Sequence, residues 1–153
     1  MIIDSSVAEG EALLTIAKLM VASARTAPKT RGEDTIKTAI LTGEDKEKLA
    51  RMMEQMGRAR DAGNVRDSGA VVLIGVEFGS SSNEWWPLKA KLIDLGIALG
   101  SAVKMASDLN VDNRIMYSVG SAAMKMGIMK ADEIQGIPIS IKGKNIFFDR
   151  KPQ

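Results

Sequence analysis

The chain has 153 residues, of which 45% are hydrophobic and 26% charged, and its net charge is +2. That length suits one domain, 1–153, with enough apolar residues for a real core, and the charge is too small to argue for a nucleic-acid partner without a clustered basic face. There is no cysteine and no histidine, which removes disulfides, thiolate nucleophiles, iron–sulfur ligation by cysteine, Ser–His–Asp chemistry and the usual zinc sites. Any reaction must then use carboxylates, lysines, hydroxyls, backbone groups or a cofactor, and no metal ligand set is expected. Met1-Ile2-Ile3-Asp4 places no basic region ahead of an apolar run, so no signal peptide is read. The longest apolar stretch is interrupted by Lys91, Asp94 and Lys104, which argues against a membrane span. The expectation is a cytoplasmic protein with neither membrane nor nucleic acid as partner.

In chain order, Ser5 or Ser6 with Glu9 reads as a helix start. Ala12, Leu13, Ile16, Ala17, Leu19, Met20 and Ala24 then fall at helical spacing, predicting a helix from Val7 to Arg25 that stops before Pro28. A polar loop, 26–34, leads to the β-branched strand 35–41. An amphipathic helix follows over 44–60, with Leu49, Met52, Met53 and Met56 on one face. A turn is expected at 61–64, a short link at 65–68, and a strand buried on both faces at Ala70 to Val76. Beyond the loop 79–83, the stretch from Leu88 to Gly120 organises the chain. Its first two thirds form one long helix, apolar on nearly every side between Leu92 and Met105, and such a helix is buried. Gly96 and Gly100 cost about 1 kcal/mol each there relative to alanine, so they are read as permitting close approach of another backbone. A strand at 114–119, a helix at 121–129 and a strand at 137–141, which its proline places at a sheet edge or at a strand start, complete an alternating order of helices and strands, which is a layered α/β (α+β) architecture with a mixed sheet of four or more strands.

Several groups could carry chemistry. Arg25, Lys29 and Arg31 place three cations within seven residues of one loop, where they either hold a small anionic ligand such as a phosphate or pair with Glu33 and Asp34. Lys142, Lys144, Arg150 and Lys151 supply further phosphate contacts or form a solvated tail, and the tail is favoured. Trp85-Trp86 covers a planar ligand, anchors a partner or packs on the helix, packing being favoured. The methionines read as core fillers. Asp94, alone inside the apolar helix, needs a partner if buried, and a capping or salt-bridging role is favoured over a general base. Neither a GxGxxG nor a GxxxxGK[ST] pattern is present.

Two resemblances follow. Ser23-Ala24-Arg25-Thr26-Ala27-Pro28-Lys29-Thr30-Arg31-Gly32 resembles the AARTAPKARG segment of an uncharacterised prokaryotic family of ferredoxin-domain-containing proteins. Segments 71–76, 93–104, 110–118 and 143–150 are similar to it too, in order. That family carries a cysteine-rich insertion between the strand at 71–76 and the helix at 93–104. Here the interval 77–92 is shorter and cysteine-free, and Val21 stands where members often have another cysteine. The resemblance therefore implies a redox-type family member without its iron–sulfur or metal site.

More distantly, Ala27-Pro28 followed by a strand and the 44–60 helix is similar to the APSxxNxQPW start of the flavin-dependent nitroreductase fold. The long helix is similar to that fold's core dimer helix. This second resemblance implies a homodimer through helix 92–109. It also implies an FMN phosphate near Arg25, Lys29 and Arg31, with help from Lys142 or Lys144. The departures are Lys29 for serine, Gly32 for asparagine, Asp34-Thr35-Ile36 for QPW, and the absence of the early arginine-rich segment that grips FMN. The alternatives are a non-catalytic scaffold or cysteine-free derivative, natural or engineered, and a binding module for a phosphorylated small molecule.

Overall fold

The structure is a computed structural model, and it describes residues 1–79 and 85–149. Helix α1 (Ser5–Thr26) is capped not by a serine but by Asp4, whose carboxylate accepts the Ser6 N–H at 2.9 Å. It ends ahead of Pro28, as the proline requires. Four strands, β1 (Ile36–Leu41), β2 (Ala70–Val76), β3 (Asp112–Asn113) and β4 (Glu133–Ser140), form one sheet in the order β1-β2-β4-β3. Every pairing is antiparallel, where the sequence predicts a mixed sheet. The reason lies in the connections. Between β1 and β2 stand two helices, α2 (Gly43–Gln55) and α3 (Ala59–Asp67), rather than one. They carry the chain away from Leu41 and back to the same sheet end, where Val71 is the register partner of Leu41. One crossover helix would deliver a parallel strand instead.

The expected 44–60 helix thus breaks at Gly57, which adopts φ 75°. The expected turn at 61–64 is helical because Ala62 and Val65, three apart, bury one face of α3. The expected third strand also fails: Asp112 and Asn113 pair with β4, Met116 makes one bridge to Gly136, and Tyr117 already opens α5 (Tyr117–Met126). Short apolar runs carry both periods, and contact with β4 selects the helix. A Cβ on Gly120 would fall within the Ile134 carbonyl, and one on Gly136 within the Val119 side chain.

Strand β2 is buried at every residue, as its unbroken apolar run predicts. Ala70, Val72, Ile74 and Val76 face a core made with α1 and α4 (Trp85–Asp108), while Val71 and Leu73 face a second core made with α2, α3 and α5. Helix α4 buries Ala90, Lys91, Asp94, Leu95, Ala98, Leu99, Ala102 and Ala106. Alanines dominate that face, so α1 and α4 approach closely enough for the Ser23 hydroxyl to donate to the Ser101 carbonyl at 3.0 Å. Contrary to the expectation of burial on all sides, Leu92, Ile93 and Ile97 stay 43%, 47% and 39% exposed. Among the described residues no helix is long and apolar enough to cross a membrane.

Candidate functional site

The loop between α1 and β1 is tied down by its own charges. At the end of α1 the Lys29 ammonium donates to the Arg25 and Ala27 carbonyls at 2.6 and 2.9 Å. Such carbonyls have no partner within a helix, and a cation there also favours the helix dipole. The Arg25 guanidinium reaches forward, forking onto Asp34 and donating to the Ile36 carbonyl at the start of β1. The Arg25 donor holds the Asp34 carboxyl below its ordinary value. Two of the three cations predicted to bind an anion are therefore engaged inside the loop.

Between these ties lies a single 3-10 turn, Thr30–Gly32. Arg31 takes φ 58° and Gly32 φ 68°, the left-handed region that costs a residue with a side chain roughly 1 kcal/mol. Helix α4 holds both flanks of that turn. Asp94 Oδ1 accepts the Thr30 N–H and the Thr30 hydroxyl, each at 2.9 Å. One helical turn earlier, Lys91 Nζ donates to Glu33 Oε2 at 2.9 Å, and this bond holds the Glu33 carboxyl below its ordinary value. Lys91 and Asp94 are 5% and 2% exposed. Asp94 Oδ2 is buried without a hydrogen-bond partner among the described residues. Arg31 itself is exposed, and no hydrogen bond or ion pair engages its guanidinium among the described residues.

The other predicted cations lie elsewhere. Lys142 follows the end of β4, where its N–H donates to the Ser140 hydroxyl at 3.4 Å. It lies close enough to Lys46 for its charge to help burial lower the Lys46 ammonium pKa. Lys46 in turn donates to the Arg66 carbonyl at 2.7 Å and to the Ser68 carbonyl. That is the Leu41 end of the sheet, whereas Arg25 binds at the Ile36 end. The six residues of β1 separate the two groups by roughly 17 Å at about 3.4 Å per residue. Within one chain, Lys142 and Lys144 do not join Arg25, Lys29 and Arg31, while Arg150 and Lys151 fall outside the described residues, as does most of the loop 79–83. Trp85 and Trp86, expected to pack, stand 77% and 61% exposed, with Lys89 Nζ 5.8 Å from both ring centres. A depression of about 640 Å³ between α3 and the 146–149 segment is lined by none of Arg25, Lys29, Arg31, Lys142 and Lys144.

Sequence reasoning singled out Asp94 as a buried charge needing a partner, and the structure supplies Thr30. It missed Lys91, although the spacing of three from Asp94 puts both on one helix face. It also missed Lys46, whose partners are backbone carbonyls that leave no mark in a sequence.

A family described as "uncharacterized protein containing a ferredoxin domain (DUF2148)" matches residues 88–150. An uncharacterized protein of Archaeoglobus fulgidus is 40% identical over 183 aligned positions, covering 100% of both chains. An alignment longer than this chain means that the relative carries residues this chain lacks. Among solved structures, a nitroreductase-like family protein from Bacillus cereus superposes with TM-score 0.66 at 11% identity, covering 91% of this chain and 76% of that one. An NADPH:FMN oxidoreductase from Vibrio harveyi complexed with NAD+ gives 0.62 at 10% identity, covering 91% and 63%. Likenesses at such identities concern the fold, and the chain spans about three fifths of the length of several of these structures. The ferredoxin description implies an iron–sulfur cluster, but this sequence has neither cysteine nor histidine to ligate one. Nor, among the described residues, does any group of three or more carboxylates converge as a metal site would require. By its full-length relative the chain belongs to the family of uncharacterized ferredoxin-domain proteins, in a nitroreductase-like fold and without that family name's cluster ligands.

Proposed function

We propose that this chain is a cytoplasmic, homodimeric redox-type protein that holds an anionic cofactor of the flavin mononucleotide class at the Arg31 turn. The observation that carries the reading is the arrangement of charge in the loop. Asp34 and two carbonyls absorb Arg25 and Lys29, Lys91 absorbs Glu33, and Arg31 is left projecting its guanidinium from a turn fixed on both sides. A guanidinium suits a phosphate because its donors match two oxygens at once. The fit is narrower than the sequence implies: one cation of the loop faces solvent uncommitted, not three, and Lys142 and Lys144 lie at the other end of the sheet. A flavin, when bound, supplies reversible hydride acceptance. This chain's residues supply the grip on the phosphate.

Fluorescence titration with FMN tests this directly. Wild-type protein saturates, riboflavin, which lacks the phosphate, binds at least 10-fold more weakly, and Arg31→Ala weakens FMN by about 10- to 100-fold, the worth of a charged hydrogen bond. Wild-type protein that ignores FMN sinks the reading. The second reading, a scaffold without cofactor, is favoured by the engagement of Arg25 and Lys29 within the loop. It is the outcome if the protein is colourless, ignores FMN and still has a dimer's mass. A binding module for phosphorylated small molecules is the outcome if inorganic phosphate competes while the flavin ring adds no affinity.

A further inference from the structure

The geometry points to Lys91 and Asp94 of α4 as a pair of positioning residues that hold Arg31 in its ligand-facing conformation, an inference that rests on the Arg31 reading. Both side chains are almost wholly buried, and α4 sets them three residues apart on the face that meets the loop. Each takes one flank of the turn: Asp94 takes both donors of Thr30, and Lys91 takes the carboxylate of Glu33. The two residues enclosed, Arg31 and Gly32, have positive φ. Gly32 adopts that conformation freely, but Arg31 does so only under constraint from its surroundings. The turn's own bonds, Gly32 N–H to the Lys29 carbonyl at 3.0 Å and Glu33 N–H to the Thr30 carbonyl at 3.2 Å, close the loop but do not anchor it to the body of the protein. The two side chains from α4 do.

The chemistry of Asp94 separates this role from plain structural support. Its Oδ1 takes both Thr30 donors, while Oδ2 meets no partner among the described residues, and a buried carboxylate held this way is a poor contributor to stability. The pair also divides its charge usefully. Glu33 takes its hydrogen bond from Lys91, and Arg31 acts on it only through its charge, so the guanidinium keeps its donors for a ligand.

The test compares Asp94→Asn, which keeps an acceptor oxygen for Thr30, with Asp94→Ala, Lys91→Met and Thr30→Val. Two readouts are taken: FMN affinity, and the rate of trypsin cleavage at the Arg31–Gly32 bond identified by fragment mass. The proteolytic readout needs no cofactor, so it tests positioning even if the FMN reading fails. Asp94→Ala and Lys91→Met should speed cleavage at that bond at least 10-fold and weaken FMN to the level of Arg31→Ala. Asp94→Asn should stay within about 3-fold of wild type in both. The double variant Arg31→Ala/Asp94→Ala should bind FMN no worse than Arg31→Ala alone, because Asp94 acts through Arg31. Should Asp94→Ala fail to fold, Thr30→Val, altered only at the loop, carries the same cleavage prediction. Cleavage at the wild-type rate in Lys91→Met and Thr30→Val, or additive losses in the double variant, overturns the proposal.

Discussion

Carboxylates of the loop and of α2, with Asp4 at the start of α1, contribute to the acid side of this protein's pH dependence. Glu33, Asp34 and Glu54 lie below their ordinary values of 4.5, 3.8 and 4.5, held there first by hydrogen bonds from Lys91, Arg25 and Arg66. A carboxyl lowered on folding stabilises the native state fully above its unfolded pKa, and that stabilisation is lost as pH falls through the folded value. Thermal melts should therefore stay level from neutral pH down to about the ordinary carboxylate values and decline below them, with Glu33→Gln removing part of the decline. All three carboxyls face water, so the effect should shrink as salt rises. A decline of the same size in Glu33→Gln would refute the part given to Lys91. Of these pairings only the short-range Arg25–Asp34 tie was legible, because the loop's charges were expected to pair among themselves. Thr30 meets Asp94 across 64 residues of chain, a distance at which no sequence spacing speaks.

Elements differ in how much of them is written locally. Strand β2 matches its apolar run residue for residue, since burial on both faces demands a side chain of one kind at every position. Helix α5 reads as a strand at its start because Tyr117 and Val119 suit a strand on propensity alone. What makes them helical is Gly120, which lets the α5 backbone settle against the Ile134 carbonyl of β4, and Val119, which fills the space over Gly136. Gly120→Ala should accordingly cost about 3 kcal/mol or more, at the upper end of overpacking penalties. Urea unfolding of the variant measures this, and a loss under about 1 kcal/mol would show that α5 does not depend on that approach. Likewise α2 and α3 read as one helix and a turn, since the buried pair Ala62 and Val65 is too sparse a signal beside Gly57 and Gly63.

For the whole molecule the decisive surface is the outer face of α4. Leu92, Ile93 and Ile97 are exposed on it, and a Cβ added at Gly96 or Gly100 would meet nothing within 4 Å among the described residues. Glycine in a helix costs about 1 kcal/mol relative to alanine, so the chain by itself has no use for either. The proposed dimer would use both, through a second copy whose backbone approached there. Light scattering at micromolar concentration should give a dimer for wild type and a monomer for Ile97→Glu, with helical circular dichroism unchanged. Gly100→Ala should weaken the dimer; if instead it only raises the melting temperature by the helix-propensity gain, the seam lies elsewhere.

Composition and periodicity by themselves determined the absence of thiol and imidazole chemistry, the long apolar helix, the doubly buried β2 and the cationic loop. These are properties of residue types and of spacings within one element. Tertiary structure alone decided that the sheet is antiparallel, that α4 buries one face and offers the other, and that Arg25 and Lys29 are hydrogen-bonded while Arg31, among the described residues, is not. It also decided that Lys142 lies a strand's length from that loop. Each of these depends on which sheet end a helix pair returns to and on side chains meeting across long stretches of chain. Local spacing fixes the face on which a residue lies, but only packing fixes what stands opposite it.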